Sequence, residues 1–587
     1  MAPPERVRVG TLAELAERGC LTAKLGTRPV CVFYDEGDVY AVEDRCPHMG
    51  FPLRRGTVQG GLLTCHWHHA RFDLASGGTL DPFADDVPAF PVEITDGDVH
   101  VLASPDSDRV SRLYRRLEEG LEQGITLVIA KAVLGLLEAG VAAEEIVESG
   151  VAFGTKYRAE GWGPGLTVLV AMANVLPLLD PAERPLAIVH GLAFLSGDTV
   201  GRSPRFPLMP LESALPIERL STWYRRFIDT RSAEAAERTL ATAIAAGHDA
   251  AGVAAMMSAA VTDHVFVNEG HTIDFTNKAF ECLEHIGWGR AEEVLTTLVA
   301  QTASAQRHEE EAAWRHPVDL TVLLSASATA DVLRARLVAA AGRSELSAEF
   351  ADEDVDALAW VLLSDDPVGI IGCLDRALDA GASAEQLARA VAYAAALRIV
   401  RFHTQNDHGD WNEVHHAFTA ANAVHQSVLR APSVELLRGV YQGAMRVYLD
   451  RFLNVPAARQ PSASASAPSA EAGLSELQVC WDREGGVDDA GQIAYRYLAG
   501  GGDPDQLIAS LGRALLTEDA QFHWFQIYEA AVRQYAAWPV GSEQGWLILV
   551  GAARFLAAHT PTRRERSQVV RIATRLRRGE PLYEEDV

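Results

Sequence analysis

Two short segments carry side chains that bind soft or borderline metals. Cys46-Pro47-His48-Met49-Gly50 contains a Cys-x-His, and Cys65-His66-Trp67-His68-His69 a Cys-x-x-His, with sixteen residues between His48 and Cys65. Two thiolates and two imidazoles suit either tetrahedral zinc or an iron–sulfur cluster whose two irons differ. Further along, His403, His408, His415, His416 and His425 fall within 23 residues. Imidazole combined with a carboxylate suits iron that keeps open positions for oxygen.

The second group needs helices to position it. Ser383 with Gln386, and Asp410 with Glu413, read as capping boxes that start two helices. The first is expected to run to about Asn406, where Asn406-Asp407-His408-Gly409 turns the chain. Antiparallel packing then sets His403 and His415 at one level, each about one turn from the bend, with His408 on the turn. Residues 263–287 repeat this loosely, with the polar turn Asn268-Glu269-Gly270 flanked by His264 and His271. Lys278-Ala279-Phe280 there parallels His416-Ala417-Phe418. Facing hairpins can supply a metal site between helices, and the expected ligands are His264, His271, His408 and His415. His425 shares a face with Val414, Phe418 and Ala421 and reads as a hydrogen-bonded core residue. His190 reads equally as a ligand or as a buried structural residue. Glu413 and His416 form one Glu-x-x-His pair where a di-iron bundle needs two, and capping explains Glu413 as well.

Residues 1–104 resemble a Rieske [2Fe–2S] domain of the ferredoxin type. The resemblance rests on the two Cys/His loops, on Pro47 and Gly50, and on Arg71-Phe72-Asp73 followed by Gly77. A zinc finger would instead carry its His pair on a helix. The resemblance implies that Cys46 and Cys65 ligate one iron and His48 and His68 the other, with His66 and His69 as surface neighbours. Respiratory members carry an extra cysteine in each loop, where this chain has Phe51 and Trp67. They also place Ser and Tyr hydroxyls near the cluster, where this chain has Ala70 and Phe72. Fewer donors to the sulfurs imply a potential at the low end of the range, roughly −150 mV. The helical remainder bears a faint resemblance to questin-oxidase-like proteins in HGLAFL and HHAFTAANAVH, which transfers no residue roles. It lacks the Asp-x-x-His-x-x-x-x-His iron pattern of ring-hydroxylating Rieske oxygenases.

These motifs sit in a chain of 587 residues whose expected fold class is multidomain. A small all-β Rieske domain at 1–104 is followed by a large all-α domain at 109–457. A flexible Pro/Ser/Ala linker at 458–473 then leads to a C-terminal α-helical lobe at 474–587. The formal net charge of −27 argues against nucleic acid and anionic membrane as partners. Residues 166–179 are too short to span a bilayer and contain Pro177, and the N-terminus does not read as a signal peptide. A cytoplasmic protein is expected. Seven cysteines are too few for a disulfide scaffold. The arginine-rich stretch 563–578 reads as a solvated helix face rather than a docking patch.

The expected function is that of an oxidoreductase. The [2Fe–2S] cluster passes electrons to a second, His-rich non-haem site holding iron or another transition metal, for oxygen-dependent oxidation of a small organic substrate. Gly161-Trp162-Gly163-Pro164-Gly165 lacks the spacing of a dinucleotide fingerprint, so an external donor, a ferredoxin or flavin reductase, is expected. A homo-oligomer is compatible with this reading. One alternative is an electron carrier or redox sensor whose helical domain binds a partner without catalysis. Another is a cofactor-free oxygenase whose histidines act as general bases.

Overall fold

The structure, a computed structural model, describes residues 6–103, 109–157, 161–341, 350–462, 470–580 and 582. The chain divides into two compact units, residues 1–146 with 565–587, and residues 147–564.

In the first unit, short β-rich runs punctuated by Gly, Asp and Pro form ten strands among the described residues. They are β1 (Arg6–Thr11), β2 (Cys20–Leu25), β3 (Arg28–Asp35), β4 (Asp38–Glu43), β5 (Thr57–Gln59), β6 (Leu62–Thr64), β7 (Arg71–Asp73), β8 (Ala89–Phe90), β9 (Val92–Thr95) and β10 (Asp98–Leu102). They pair antiparallel in three sheets of order β1-β10-β9, β2-β3-β4-β8 and β5-β6-β7. Strand β3 separates two cores by its period of two. Val30 and Val32 pack with Leu15, Ala41 and Val99, whereas Cys31 and Phe33 pack with Val42, Leu63, Phe72, Cys46 and Cys65. One short helix, Leu12–Arg18, interrupts the strands, because Thr11 and Glu14 cap each other's backbone amides. The helices Arg109–Gln123, Thr126–Glu138 and Glu565–Arg577 complete this unit.

The second unit is helical among its described residues, and 64% of the described residues of the chain are helical. Ser383 and Gln386 form the expected capping box, but the helix they open, Ala384–Val400, stops short of Asn406. Phe402 turns inward, fully buried, and its ring lies 4.0 Å from that of Trp411. The polar run that follows has no apolar residue to hold it on a helix face. The next helix, Trp411–Arg430, opens from a 3-10 turn over His408–Asp410 rather than from a cap. Asp410 accepts the Asp407 amide, and Glu413 is drawn to Arg446, so the expected Asp410/Glu413 box does not form.

Residues 463–469 of the expected linker lie outside the described residues, and the helix Ala470–Trp481 begins within its expected bounds. The helices Val487–Ala499, Pro504–Thr517, Phe522–Ala536 and Glu543–His559 belong to the same compact unit as Pro164–Val175 and Ala384–Val400; Phe522–Ala536 packs on Pro164–Val175, and Glu543–His559 on Ala384–Val400. Among the described residues no helix is long and apolar enough to cross a membrane.

Candidate functional site

Two loops of the first unit are built on one plan. The Cys46 amide donates to Phe51 O at 2.7 Å, and the Cys65 amide donates to Ala70 O at 2.8 Å. Each cysteine carbonyl then accepts from the residue four places on, Gly50 at 2.7 Å and His69 at 3.0 Å. Both of those residues have positive φ, 83° at Gly50 and 61° at His69, which closes the loop tightly. Backbone amides point back at each sulfur, those of His48 and Met49 at Cys46 and those of Trp67 and His68 at Cys65.

The two thiols are buried and share a hydrogen bond, which lowers Cys65 to about 6 and raises Cys46. The His68 imidazole is exposed and that of His48 half-buried, with the two rings 4.7 Å apart. Burial, and then the Lys131 charge, push His48 down to about 4, and its buried Nδ1 has no hydrogen-bond partner. A buried ring nitrogen left unpaired beside two buried thiols is a donor set waiting for metal. Cys46, His48, Cys65 and His68 could therefore hold a two-iron cluster. His66 bonds Thr57 at 2.5 Å, and His69 is exposed.

The family comparison agrees with this geometry. Residues 5–91 match the Rieske [2Fe-2S] domain. This part of the chain is a Rieske domain. Over 90 residues the chain is 34% identical to apoptosis-inducing factor 3 of Homo sapiens, 15% of each chain. Over 94 residues it is 29% identical to the anthranilate 1,2-dioxygenase ferredoxin subunit of Burkholderia cepacia, covering 16% of this chain and 87% of that one. Among solved structures, the ferredoxin of carbazole 1,9a-dioxygenase from Nocardioides aromaticivorans is 26% identical. It covers 17% of this chain and 98% of that chain, with a TM-score of 0.16. The chain thus spans only 15% of the length of the human relative. A Rieske domain carries a [2Fe–2S] cluster and transfers electrons. At the loop positions where respiratory members carry extra cysteines, the Phe51 and Trp67 rings of this Rieske domain meet at 5.9 Å.

The second unit gathers four imidazoles from three helices. His271 begins the helix His271–Ile286, His415 and His416 lie on Trp411–Arg430, and His523 lies in the first turn of Phe522–Ala536. One ring nitrogen each from His271, His416 and His523 falls within 4.8 Å of the others. The His415 ring is 3.9 Å from that of His523 and 4.1 Å from that of His416. His415 is fully buried, and its Nδ1 faces Trp411 O at 3.2 Å while its Nε2 has no partner. Neither nitrogen of His416 is hydrogen-bonded, although Glu269 lies 3.3 Å from its Nδ1.

Burial leads the shift at each of these histidines, holding His271 at about 4, His523 at about 3 and His416 at about 2. Their mutual repulsion lowers His416 and His523 further, and His415 falls well below the ordinary imidazole value. All four are neutral near pH 7, which is the form that ligates metal. The turn before His271 is strained in a way that serves this placement. Phe266, Asn268 and Glu269 adopt φ of 43°, 50° and 55°, conformations that persist where the surrounding structure enforces them.

Of the expected ligands, His271 and His415 lie in this group. His264 is elsewhere, its Nδ1 2.8 Å from Glu309 Oε1 and its Nε2 3.5 Å from Asp229. The His408 side chain lies outside the described residues. His403 sits in the loop after Val400, accepting the Gln405 amide at 3.1 Å, rather than level with His415. His190 is buried with Nε2 2.9 Å from Leu516 O, and His425 is buried 3.2 Å from Gln534. Sequence reasoning did not assign His416 or His523 to the site. The second histidine of the His415-His416 pair was a signal for one, but nothing local marked His523.

One turn below His271, the fully buried Asp274 accepts from Gln526, itself three residues after His523. Burial raises this carboxyl to about 8. Further down the same helix, Lys278 Nζ sits 2.8 Å from both Glu281 and Glu529. Burial alone would lower Lys278, but the two carboxylates outweigh it and hold the ammonium charged.

Proposed function

We propose that this chain is an oxidoreductase in which the Rieske domain, with Cys46 and Cys65 on one iron and His48 and His68 on the other, delivers electrons to a second metal. His271, His416 and His523 hold that metal, with His415 beside them. The metal is a non-haem iron, and the reaction is the oxygen-dependent oxidation of a small organic substrate. When bound, the cluster supplies one-electron transfer and the second metal supplies Lewis-acid and redox chemistry towards dioxygen.

The observation that carries this reading is the convergence of His271, His416 and His523, one ring nitrogen of each within 4.8 Å of the others, where neither nitrogen of the buried His416 nor Nε2 of the buried His415 has a hydrogen-bond partner. Buried polar atoms are otherwise almost always paired. Glu269, against His416 Nδ1, orients that ring, and Asp274 holds a proton at its carboxyl near neutral pH. The ferredoxin relatives belong to dioxygenase systems by their names, which supports oxygen chemistry as the use of the electrons. An external ferredoxin or flavin reductase supplies those electrons.

The test is reoxidation of the dithionite-reduced cluster by oxygen, followed by EPR in wild type and in His416→Ala/His523→Ala. At least about tenfold slower reoxidation in the variant is expected, in keeping with loss of metal ligation. Equal rates would instead favour the carrier reading, which the likeness to ferredoxins alone supports.

A further inference from the structure

Lys131 lies beyond the residues matched to the Rieske family, on the Thr126–Glu138 helix of the same compact unit, yet its ammonium meets the first cluster loop. Nζ donates to Pro47 O at 2.5 Å and to His48 O at 2.8 Å, and lies 3.2 Å from Asp85 Oδ2. The side chain is only 8% exposed. An ammonium has three donors and no acceptor, and here three oxygens meet it. A neutral amine would turn a lone pair towards one of them. Asp85 also accepts from Arg116 Nε at 3.0 Å, and Arg116 pairs with Glu119 as well, so Lys131 shares its one carboxylate with a second cation.

We propose that Lys131 is a positioning residue that raises the reduction potential of the cluster. Its buried positive charge is fixed to the carbonyls of the loop that carries Cys46 and His48. The inference rests on those residues being ligands. Reduction adds one electron to the cluster and breaks no bond, so the product carries one more negative charge, which a nearby buried cation favours. Ala70 and Phe72 withdraw hydrogen-bond donors from the sulfurs and lower the potential, and Lys131 acts in the opposite sense. The Thr126–Glu138 helix is thereby part of the redox device and not a spacer after it.

The experiment is an EPR-monitored redox titration of the full chain with dithionite, comparing wild type with Lys131→Met and Asp85→Asn. At the potential where wild type is half reduced, Lys131→Met should show a reduced-to-oxidised ratio about tenfold lower, which for one electron is 59 mV. Asp85→Asn removes the opposing charge and should shift the ratio the other way, with iron and sulfide content unchanged. A purely mechanical brace would give no such reversal of sign. Wild-type potential in Lys131→Met, or a downward shift in Asp85→Asn, would overturn the proposal. Should Lys131→Met hold no cluster, the sign of the Asp85→Asn shift decides alone. Absence of a Rieske EPR signal from the wild type would instead refute the ligand assignment beneath it.

Discussion

The His271 and His523 rings lie 5.5 Å apart and within 7° of parallel. Each sits in the first turn of its helix, and the expected linker separates the two in sequence. The second site therefore depends on the C-terminal helices folding back onto the body that carries His271 and His416.

This separates two ligand sets by mutation. His523→Ala should lower the affinity for the second metal at least about tenfold, the scale on which metal sites respond to lost support. His264→Ala should leave metal content unchanged, because that ring is engaged with Glu309. Metal analysis of the two purified variants checks both.

Acid should destabilise the metal-free fold through these imidazoles. His271 is held at about 4 and His523 at about 3, against about 6.5 in an unfolded chain. Between those values the unfolded state binds protons that the fold refuses. Stability is therefore complete above pH 6.5 and falls as the pH drops towards 4. For His271 the loss is at most roughly 3 kcal/mol. Denaturant midpoints of metal-free wild type and His271→Gln, measured from pH 7.5 to 4.5, should converge at the acid end.

Lys278 tests the buried ion network. Lys278→Met leaves Glu281 and Glu529 facing each other without their shared cation, and loss of one member of a buried pair costs about 3–5 kcal/mol. The variant should unfold at markedly lower urea concentration. Adding Glu281→Gln and Glu529→Gln should recover part of that loss.

Trp67 tests the ring contact at the tips of the cluster loops. An aromatic pair contributes about 0.5–1.5 kcal/mol beyond its buried area. Trp67→Ala should therefore lose its visible cluster absorption several-fold faster in air than wild type, with the same initial iron content.

The Rieske domain was legible because its chemistry is local. Cys46 with His48, and Cys65 with His68, are spaced within single loops. The helical site was legible only in part. His271 and His415 stood out beside polar turns, but the geometry argued for His415 required a helix reaching Asn406, and Phe402 ends it near Val400 by turning in against Trp411. Capping at Ser383 was readable because it is a three-residue relation. At Asp410 the same pattern misled, since Arg446, from the next helix, Val434–Leu449, takes Glu413. His523 was out of reach because its neighbours are set by long-range packing that no periodicity records.

The most direct measurement is metal and acid-labile sulfide per chain on anaerobically purified, iron-replete protein, wild type beside His271→Ala. About two sulfides are expected in both, with more than two transition-metal ions per chain in wild type and about two in the variant. About two irons, two sulfides and no further metal in wild type as well would contradict the second site.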